Sequence, residues 1–315
     1  MLYLDDDAVV GLVSPDDALV AVRDAFAAFG RGEAAVQRRE RTDAGAVKLS
    51  TLGAVVPTAG VLGAKVYSTV GGQFTFVVVL FAADDGRRLA VLESGALTRL
   101  RTAATSVLST QLLHGGRAVD RVVVFGSGAQ GRGHVAAFTA AFGDVDVATV
   151  GRSTPAGELE KLVGAADVVV TATRATTPVL SGRWLGDDVH VCAVGTSRVG
   201  ACELDTAVYE RASVVAVEWR EQARNEAGGL VQAVEAGVLS WDDVVELGAL
   251  ASSAGRFGDY GPLFDTEVTE SNGGGRVTVF QSVGIGLEDV AVAAVAWRHA
   301  VDRGVGMRLG DDTER

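Results

Sequence analysis

Cysteine, aromatic residues and basic charge are all scarce in this sequence. It has two cysteines, Cys192 and Cys202, and neither has the CxxC or Cys/His spacing of a zinc site. The sequence therefore argues against a disulfide framework, and no metal site is predicted. The 28 basic residues are outnumbered by 40 acidic ones, which gives a formal net charge of −12. A nucleic-acid or anionic-membrane partner is not expected.

Long apolar runs are also missing. The longest, Phe74 to Ala83, is interrupted by Thr75 and falls well short of the about 20 residues that a membrane-spanning helix needs. The segment from Met1 to Asp7 contains three acids and no basic residue, unlike the start of a secretory signal. We therefore expect a cytoplasmic protein without a membrane partner.

The first part of the chain combines helical and antiparallel strand patterns. Ser14 precedes Pro15 and two acids, which predicts the start of a helix. Short β-branched runs separated by turns then predict an antiparallel sheet. These runs are Val47–Leu52, Val61–Val70, Phe74–Phe81 and Leu89–Leu92. A long helix, Gly95–Leu113, is expected next, with Ser94 as its N-terminal cap.

From Arg121 onward, strand-like and helix-like segments alternate at the spacing of βαβ units. The strands are expected at Arg121–Phe125, Val145–Val150, Val168–Thr171, Val189–Val194, Val214–Val217 and Arg276–Phe280, and the helices at Ala129–Phe142 and Glu158–Ala165. An amphipathic helix, Leu287–Val301, could return to the first domain. We therefore predict an α/β protein in which a Rossmann-type doubly wound sheet (115–285) is inserted into a second, α+β substrate or dimerisation domain (1–114 and 286–315).

A glycine motif, G-x-G-x-x-G, follows the first strand of the predicted parallel sheet and opens a helix. Its residues are Gly126, Ser127, Gly128, Ala129, Gln130 and Gly131. The glycines allow a tight turn, close approach of the backbone to a pyrophosphate, and close packing of helix on strand. The strand–turn–helix context favours dinucleotide binding over an ordinary glycine-rich turn.

The end of the second strand bears on the choice of cofactor. An NAD site usually has an acid there, which holds the ribose 2′-hydroxyl. This chain has Gly151, Arg152 and Ser153 instead, and an arginine with a hydroxyl suits a 2′-phosphate. We therefore predict NADPH, with NADH as the less favoured cofactor; a solvated arginine in a loop is the alternative interpretation.

Two basic residues outside the parallel sheet allow two interpretations each. Lys65 lies in an otherwise apolar or small strand, where a lysine is most often a solvent-facing residue of an edge strand. Arg101 could be a surface charge on its helix. The small residues 102–104 that follow it argue instead for a tightly packed helix with the guanidinium turned inward.

At these residues the sequence resembles the ornithine cyclodeaminase/μ-crystallin family. The matching stretches appear in the family's order and spacing. They are GAKVYS (63–68), LTRLRTAATS (97–106), VVVFGSGAQGRGH (122–134), TATRATTPVLSGRW (171–184), HVCAVGTSRVGACELD (190–205) and TVFQSVGIGLEDVAVAA (278–294). The resemblance implies a nucleotide domain inserted between two halves of a substrate and dimerisation domain, and so a homodimer.

The resemblance also implies roles for particular residues. Lys65 matches the family's active-site lysine, which would donate to substrate oxygen and help keep a bound imine protonated. Arg101 matches an arginine that pairs with the substrate's α-carboxylate. A second arginine near the N-terminus would be Arg41, with Arg38 or Arg39 as alternatives. Further residues would line the cofactor, namely Thr173, Val194, Gly195, Ser282 and Gly284.

Ser197 departs from the pattern of the cyclodeaminases and related alanine dehydrogenases, which read G-x-D-x-x-G-K at this place. The aspartate of that pattern handles protons on the substrate amine, and this chain has neither the aspartate nor the lysine. The μ-crystallin branch also has Ser-Arg here. Deamination needs a base, whereas reduction of a preformed imine needs a protonated C=N and a positioned hydride. Ser197 therefore favours the reductive reaction.

The predicted function is NADPH-dependent reduction of a small imine, expected to be cyclic and to bear a carboxylate. One alternative is an NAD-dependent amino-acid dehydrogenase or ornithine cyclodeaminase, and another is an NADPH-dependent binding protein. Sequence does not name the substrate. None of the four histidines is predicted to be catalytic. His114 and His299 are expected to be solvated near helix ends, and Cys192 to be a packed small hydrophobe.

Overall fold

The computed structural model of the protein describes residues 1–254 and 276–310. The chain divides into two compact units. The first comprises Met1–Thr105 and Ile285–Arg315, and the second comprises Ser106–Gly284. The predicted combination of a Rossmann-type unit with a second α+β unit is confirmed. The roles assigned to the two domains, substrate binding with dimerisation and cofactor binding, stay predictions.

The elements of the first unit precede and follow those of the second, and one helix, Gly95–Leu113, begins in the first unit and ends in the second. The chain begins with β1 (Leu2–Leu4), α1 (Asp6–Leu12), α2 (Pro15–Gly30), β2 (Ala35–Val36), β3 (Glu40–Ala44), β4 (Val47–Val56), β5 (Val61–Val70), β6 (Gln73–Ala82), β7 (Arg88–Glu93) and α3 (Gly95–Leu113). The second unit continues with β8 (Arg121–Phe125), α4 (Ala129–Phe142), β9 (Asp146–Val150), α5 (Ala156–Gly164), β10 (Val168–Thr171), β11 (Val189–Ala193), α6 (Thr206–Arg211), β12 (Ala212–Val217), α7 (Arg220–Glu226), α8 (Gly228–Glu235), β13 (Val244–Glu246), α9 (Leu247–Ala254) and β14 (Val277–Gln281). The chain returns to the first unit with α10 (Gly286–Arg303) and β15 (Met307–Arg308).

The sheet of the first unit is mostly antiparallel, as predicted. Its strand order is β15-β1-β7-β6-β5-β4-β2, and β3 pairs with β4. Strand β5 is an interior strand: Lys65 is paired with Leu52 of β4 and with Val78 of β6. The interpretation of Lys65 as an edge-strand residue is therefore wrong.

Helix α10 is the central helix of the first unit. It packs on β4, β5 and β6 and on α2, and its side chains from Gly286 to Ala294 are all buried. Its N-terminus comes very close to β4, since a Cβ at Gly286 would stand 2.6 Å from the Gly53 carbonyl oxygen. The predicted amphipathic helix at this place is thus buried on most sides over its first half.

The cap of helix α3 differs from the prediction. The Ser94 hydroxyl is buried and has no hydrogen-bond partner among the residues the structure describes. Asp6, which comes from α1, accepts the Ala96 N–H at 2.8 Å instead. A carboxylate at this end also suits the positive end of the helix dipole.

The sheet of the second unit is parallel, with the strand order β13-β12-β14-β11-β10-β8-β9. The chain runs outward from β8 to β9 and then crosses back to β10, so β8 lies at the switch point of this doubly wound sheet. Its interior strands are buried, and the predicted and observed element ends differ by a few residues. In the two described ranges, no helix is both long and apolar enough to cross a membrane.

Candidate active site

The glycine turn between β8 and α4 is shaped by backbone contacts. Gly126 has a φ of +110°, and a Cβ there would lie 2.6 Å from the Ala172 carbonyl oxygen. A Cβ at Gly131 would lie 1.8 Å from the Gly126 carbonyl oxygen. Both positions therefore need glycine, one for the turn and one for the packing of α4 against it.

The N-terminus of α4 leaves room for a ligand. Gly128 caps the helix without a side-chain hydrogen bond, and nothing lies within 4 Å of the place where its Cβ would stand. Ser127, Gly128 and Ala129 are exposed. Gln130 Oε1 is buried without a partner in the described part of the chain. Open space in front of the first N–H groups of a helix fits the diphosphate of a dinucleotide.

The turn after β9 is adjacent to the glycine turn. The Gly126 N–H donates to the Val150 carbonyl oxygen at 2.9 Å, so the ends of β8 and β9 lie side by side. Thr154 closes the next turn, since its N–H donates to the Gly151 carbonyl oxygen and its hydroxyl accepts the Gly151 N–H. Arg152 and Ser153 are exposed in that turn. An exposed guanidinium at this position is available to a ligand bound at the glycine turn.

Glu203, which sequence reasoning missed, fixes the loops after β10 and β11. Its side chain is 3% exposed. Oε1 accepts the N–H and the hydroxyl of Thr173, both at 2.7 Å. Oε2 accepts the Gly195 N–H at 2.7 Å and the Thr171 hydroxyl at 3.1 Å. Burial raises the pKa of Glu203, and the four donors act against that rise. Two of the expected cofactor-lining residues are thus held by one carboxylate.

Glu218 does the same for the turn that follows β14. This fully buried carboxylate accepts hydrogen bonds from the Ser282 hydroxyl and from the N–H groups of Val283 and Gly284. Gly284 has a φ of +72°. The Ser282 hydroxyl proton therefore points to Glu218, which leaves the Ser282 oxygen only as an acceptor for a ligand. The backbone of Val194 is also fixed, because its N–H donates to the Thr171 carbonyl oxygen at 2.9 Å.

Lys65 lies in a buried cluster of charges in the first unit. Its side chain is 3% exposed, and its Nζ donates to Thr98 Oγ1 at 2.6 Å and to Asp289 Oδ1 at 3.1 Å. The Phe76 ring lies under the ammonium, 4.6 Å from Nζ to the ring centroid. Burial lowers the pKa of Lys65 to about 8, although the Asp289 carboxylate opposes this. The ammonium form therefore predominates at neutral pH, with a proton that is easily exchanged.

Arg101 meets the same acids. Its Nε donates to Asp289 Oδ1 at 3.2 Å, and its Nη1 donates to Glu288 Oε2 at 3.1 Å. Glu288 and Asp289 are both fully buried in the first turn of α10. The guanidinium is therefore turned inward, and Lys65 and Arg101 meet on one carboxylate oxygen.

The three arginines left open by the sequence lie in different environments. Arg41 is exposed on strand β3, where it pairs with Ser50 of β4. Arg38 is also exposed, whereas Arg39 is half-buried. The positive charge of Arg39 lowers the pKa of Lys65, so Arg39 interacts electrostatically with the Lys65 cluster. This electrostatic effect on Lys65 favours Arg39 over the first choice, Arg41.

Ser197 lies in the second unit, in the segment after β11, and is half-buried. The structure therefore brings the predicted site residues together in two sets. One surrounds Lys65 and Arg101 in the first unit, and the other follows the strand ends of the parallel sheet.

The buried histidines have hydroxyl partners that the sequence does not reveal. His134 lies 2.8 Å from the Gln130 carbonyl oxygen and 3.0 Å from the Ser106 hydroxyl, and burial lowers its pKa to about 4. His190 lies between the hydroxyls of Ser109 and Thr278, and burial lowers its pKa to about 3. Both are neutral at physiological pH.

The expectation that His114 is solvated is wrong, while Cys192 is as predicted. His114 is 3% exposed at the end of α3, and burial lowers its pKa. His299 is half-buried, and its Nδ1 lies 2.7 Å from the Leu12 carbonyl oxygen. Cys192 is fully buried, and burial raises its pKa to about 11, which makes it a poor nucleophile. No cluster of metal-ligating side chains occurs within residues 1–254 and 276–310.

Sequence reasoning also missed Glu288 and Asp289. A signal for them was present, since two adjacent acids open a helix that is otherwise apolar for its first half. Acids in the first turn of a helix usually stabilise the positive end of the helix dipole. This common role gives no indication that the two acids also bind the buried cations of the cluster. The contact of Asp289 with Lys65 depends on the packing of α10 against β5.

A Rossmann-type sheet with a G-x-G-x-x-G turn, in a chain that also has a buried lysine–arginine cluster, is typical of a nicotinamide-dependent oxidoreductase. The chain belongs to the ornithine cyclodeaminase/mu-crystallin family, whose model matches residues 62–158 and 152–304. The predicted family and class of enzyme are confirmed.

Two named relatives are reductases. The chain is 32% identical over 278 residues to a Delta(1)-pyrroline-2-carboxylate reductase of Bacillus cereus, covering 81% of this chain and 78% of the relative. It is 32% identical over 236 residues to the ketimine reductase mu-crystallin of Mus musculus, covering 70% of this chain and 68% of the relative. Reductases of imines are thus present among its relatives.

Two solved structures share the whole fold. A probable ornithine cyclodeaminase from Bordetella pertussis Tohama I is 40% identical, with a TM-score of 0.84 over 96% of this chain and 98% of the other. The iminosuccinate reductase of Paracoccus denitrificans, in complex with NAD⁺, is 26% identical, with a TM-score of 0.85 over 98% of both chains. A nicotinamide cofactor is therefore supported.

Proposed function

We propose that this protein is an NADPH-dependent reductase of a small cyclic imine that bears a carboxylate, such as a pyrroline- or piperideine-2-carboxylate. The observation that carries the proposal is the buried cluster in which Lys65 and Arg101 share Asp289 Oδ1. A charged lysine and arginine at one buried point suit a substrate with a carboxylate and a basic nitrogen.

Charge balance in the cluster supports a carboxylate ligand. Lys65, Arg101 and the nearby Arg39 supply three cations, against two carboxylates from Glu288 and Asp289. The positive charges at this point would attract the carboxylate of a substrate. A substrate carboxylate would meet the guanidinium of Arg101, which already donates through Nε to Asp289 and through Nη1 to Glu288.

Lys65 is the proposed source of the proton on the imine nitrogen. Because burial lowers its pKa to about 8, the group is charged at pH 7 and still gives up a proton with little cost. A protonated imine accepts hydride at carbon, and the nitrogen keeps its proton in the amine product. Ser197 offers no carboxylate to remove a proton from an amine, which supports reduction over deamination.

The cofactor assignment rests on the second unit. When bound, the nicotinamide cofactor would supply the hydride. The N-terminus of α4 would hold its diphosphate, and the carboxylates of Glu203 and Glu218 would keep the loops with Thr173, Gly195 and Ser282 in place. The exposed Arg152 in the turn beside Gly126 supports a preference for the 2′-phosphate of NADPH.

The test is a turnover assay with NADPH and NADH against pyrroline-2-carboxylate, piperideine-2-carboxylate and a cyclic imine without the carboxylate. We expect oxidation of NADPH with the two carboxylate-bearing imines and much slower turnover with the third. Light scattering of the same preparation tests the predicted homodimer. Cofactor binding without turnover of any imine would indicate a binding protein instead.

One observation favours a second candidate, an ornithine cyclodeaminase or an NAD-dependent amino-acid dehydrogenase. The Bordetella structure is 40% identical to this chain over nearly its whole length. Vigorous release of ammonia from ornithine with NAD⁺ would replace the reductase proposal with this one. The absence of an acid at position 197 argues against that result.

A further inference from the structure

Asp289 has an unusual combination of contacts. Its Oδ1 accepts hydrogen bonds from Lys65 Nζ at 3.1 Å and from Arg101 Nε at 3.2 Å. Its Oδ2 is buried and has no donor among the residues described. The two cations on Oδ1 are therefore what compensates this buried carboxylate, and the three charges depend closely on one another.

We propose that Asp289 is a positioning residue that holds Lys65 against Arg101 and keeps Lys65 charged at neutral pH. The inference rests on the proposed function, in which Lys65 protonates the imine. Asp289 itself is fully buried and does not touch the substrate in this proposal.

The surroundings of Lys65 show why a carboxylate is needed. The neighbouring strands offer the apolar Leu52 and Val78, and the Phe76 ring covers the ammonium. Helix α3 contributes the neutral Thr98 and the cation of Arg101, and the segment before β3 contributes the cation of Arg39. From α10, Asp289 bonds to Lys65 directly, whereas Glu288 bonds to Arg101.

These groups act on the Lys65 proton in opposite directions. Burial and the charges of Arg101 and Arg39 lower the pKa of Lys65, and the charge and hydrogen bond of Asp289 raise it. Thr98 cannot replace the carboxylate, because its hydroxyl proton is given to the Ser94 carbonyl oxygen at 2.6 Å and it carries no charge. Without Asp289, Lys65 would lose its proton at a lower pH.

Glu288 has a different task on the same helix turn. Its Oε2 accepts the Ile285 N–H at 2.8 Å as well as Arg101, and its Oε1 accepts the Thr105 hydroxyl at 2.8 Å. These bonds anchor the start of α10 and leave Asp289 to serve Lys65. The close approach of Gly286 to Gly53 places the start of α10 against β4, the strand next to β5.

The experiment uses the scarcity of lysine. Lys48, Lys65 and Lys161 are the three lysines of the sequence, and the other two are exposed. Protein labelled with ¹³Cε-lysine therefore gives three side-chain signals, and Lys65→Arg assigns the one of interest. We expect the Lys65 signal of the full chain to titrate near pH 8, and that of Asp289→Asn to titrate at least one pH unit lower.

The pH dependence of imine reduction should move with the NMR signal. In Asp289→Asn the alkaline fall in kcat should shift to lower pH by the same amount, and activity should recover on acidification. Asp302→Asn is the matched control, since this acid is exposed at the far end of the same helix. Its Lys65 signal and its pH profile should equal those of the unchanged protein.

Two results would overturn the role of Asp289, and a third would reject the proposed function alone. An unchanged Lys65 titration in a folded Asp289→Asn protein would overturn the role of Asp289. If that variant does not fold, Asp289→Glu is used instead. This variant keeps the negative charge, so Lys65 should still titrate near pH 8. A clearly lower midpoint would overturn the role of Asp289. A shifted titration in a protein that reduces no imine would reject the proposed function and leave the Lys65–Asp289 coupling intact.

Discussion

Replacing Glu203 by glutamine tests whether its carboxylate fixes the loops after β10 and β11. Each carboxylate oxygen accepts one backbone N–H at 2.7 Å, from Thr173 at Oε1 and from Gly195 at Oε2. Hydroxyl groups can reverse their role from donor to acceptor, but a backbone N–H cannot. Glutamine has a single oxygen, so either orientation of its amide leaves one buried N–H facing an NH₂ group.

The expected loss of stability follows from the one buried N–H that is left without an acceptor. A buried donor without an acceptor costs about 1–3 kcal/mol, and the remaining bonds lose the strength that the negative charge gives them. We expect Glu203→Gln to lower the free energy of unfolding by about 3 kcal/mol. Because the loops would loosen, the KM for the cofactor should also rise.

Urea unfolding followed by tryptophan fluorescence measures the effect. Three of the four tryptophans, Trp184, Trp219 and Trp241, lie in the second unit and report on it. Glu210→Gln, the same change on an exposed residue of α6, is the control and should leave the midpoint unchanged. Equal midpoints and slopes for Glu203→Gln and the control would refute the reasoning.

Three further predictions concern the substrate, the cofactor and pH. Arg101→Lys keeps the charge but loses the planar guanidinium, so steady-state kinetics should show a higher KM for a carboxylate-bearing imine and an unchanged KM for the cofactor. If the unchanged protein reduces an imine without the carboxylate at the same rate, the proposed role of Arg101 is contradicted. NADPH should exceed NADH by at least about tenfold in kcat/KM, and Gly151→Asp combined with Arg152→Gln should reverse that order; equal use of both would exclude the 2′-phosphate site. His134 and His190 resist protonation in the fold, so the unfolded chain binds more protons below its ordinary histidine pKa of 6.5. Stability should therefore fall from pH 6.5 to about 4 by on the order of 3 kcal/mol per histidine, and urea midpoints that do not change over this range would show that other groups compensate.

The sequence predicts most of the fold because hydropathy patterns are local. The strand Arg121–Phe125, its glycine turn and helix Ala129–Phe142 could be placed from their residues alone, and the antiparallel runs were found in order. The cap of α3 could not, because Asp6 reaches Ala96 across a long sequence separation.

The candidate site was predictable only in part, for the same reason. Lys65 could be named, yet a single strand does not show whether it is an edge or an interior strand. The carboxylates of Glu203, Glu218 and Asp289 act through contacts between distant segments, and a lone acid in a sequence usually belongs to a solvated surface. Their burial and partners become visible only in three dimensions.

The hydrogen bond between Thr105 and Glu288 joins the two points at which the chain leaves and re-enters the first unit. The second unit is thus an insertion between two segments of the first unit, and the ends of those segments are joined beside Arg101 and Asp289. Such an arrangement lets an entire module be gained, lost or exchanged during evolution without rerouting the rest of the chain. It also places the charges proposed to bind the substrate beside both interruptions of the first unit, where their contacts hold the two parts of that unit together.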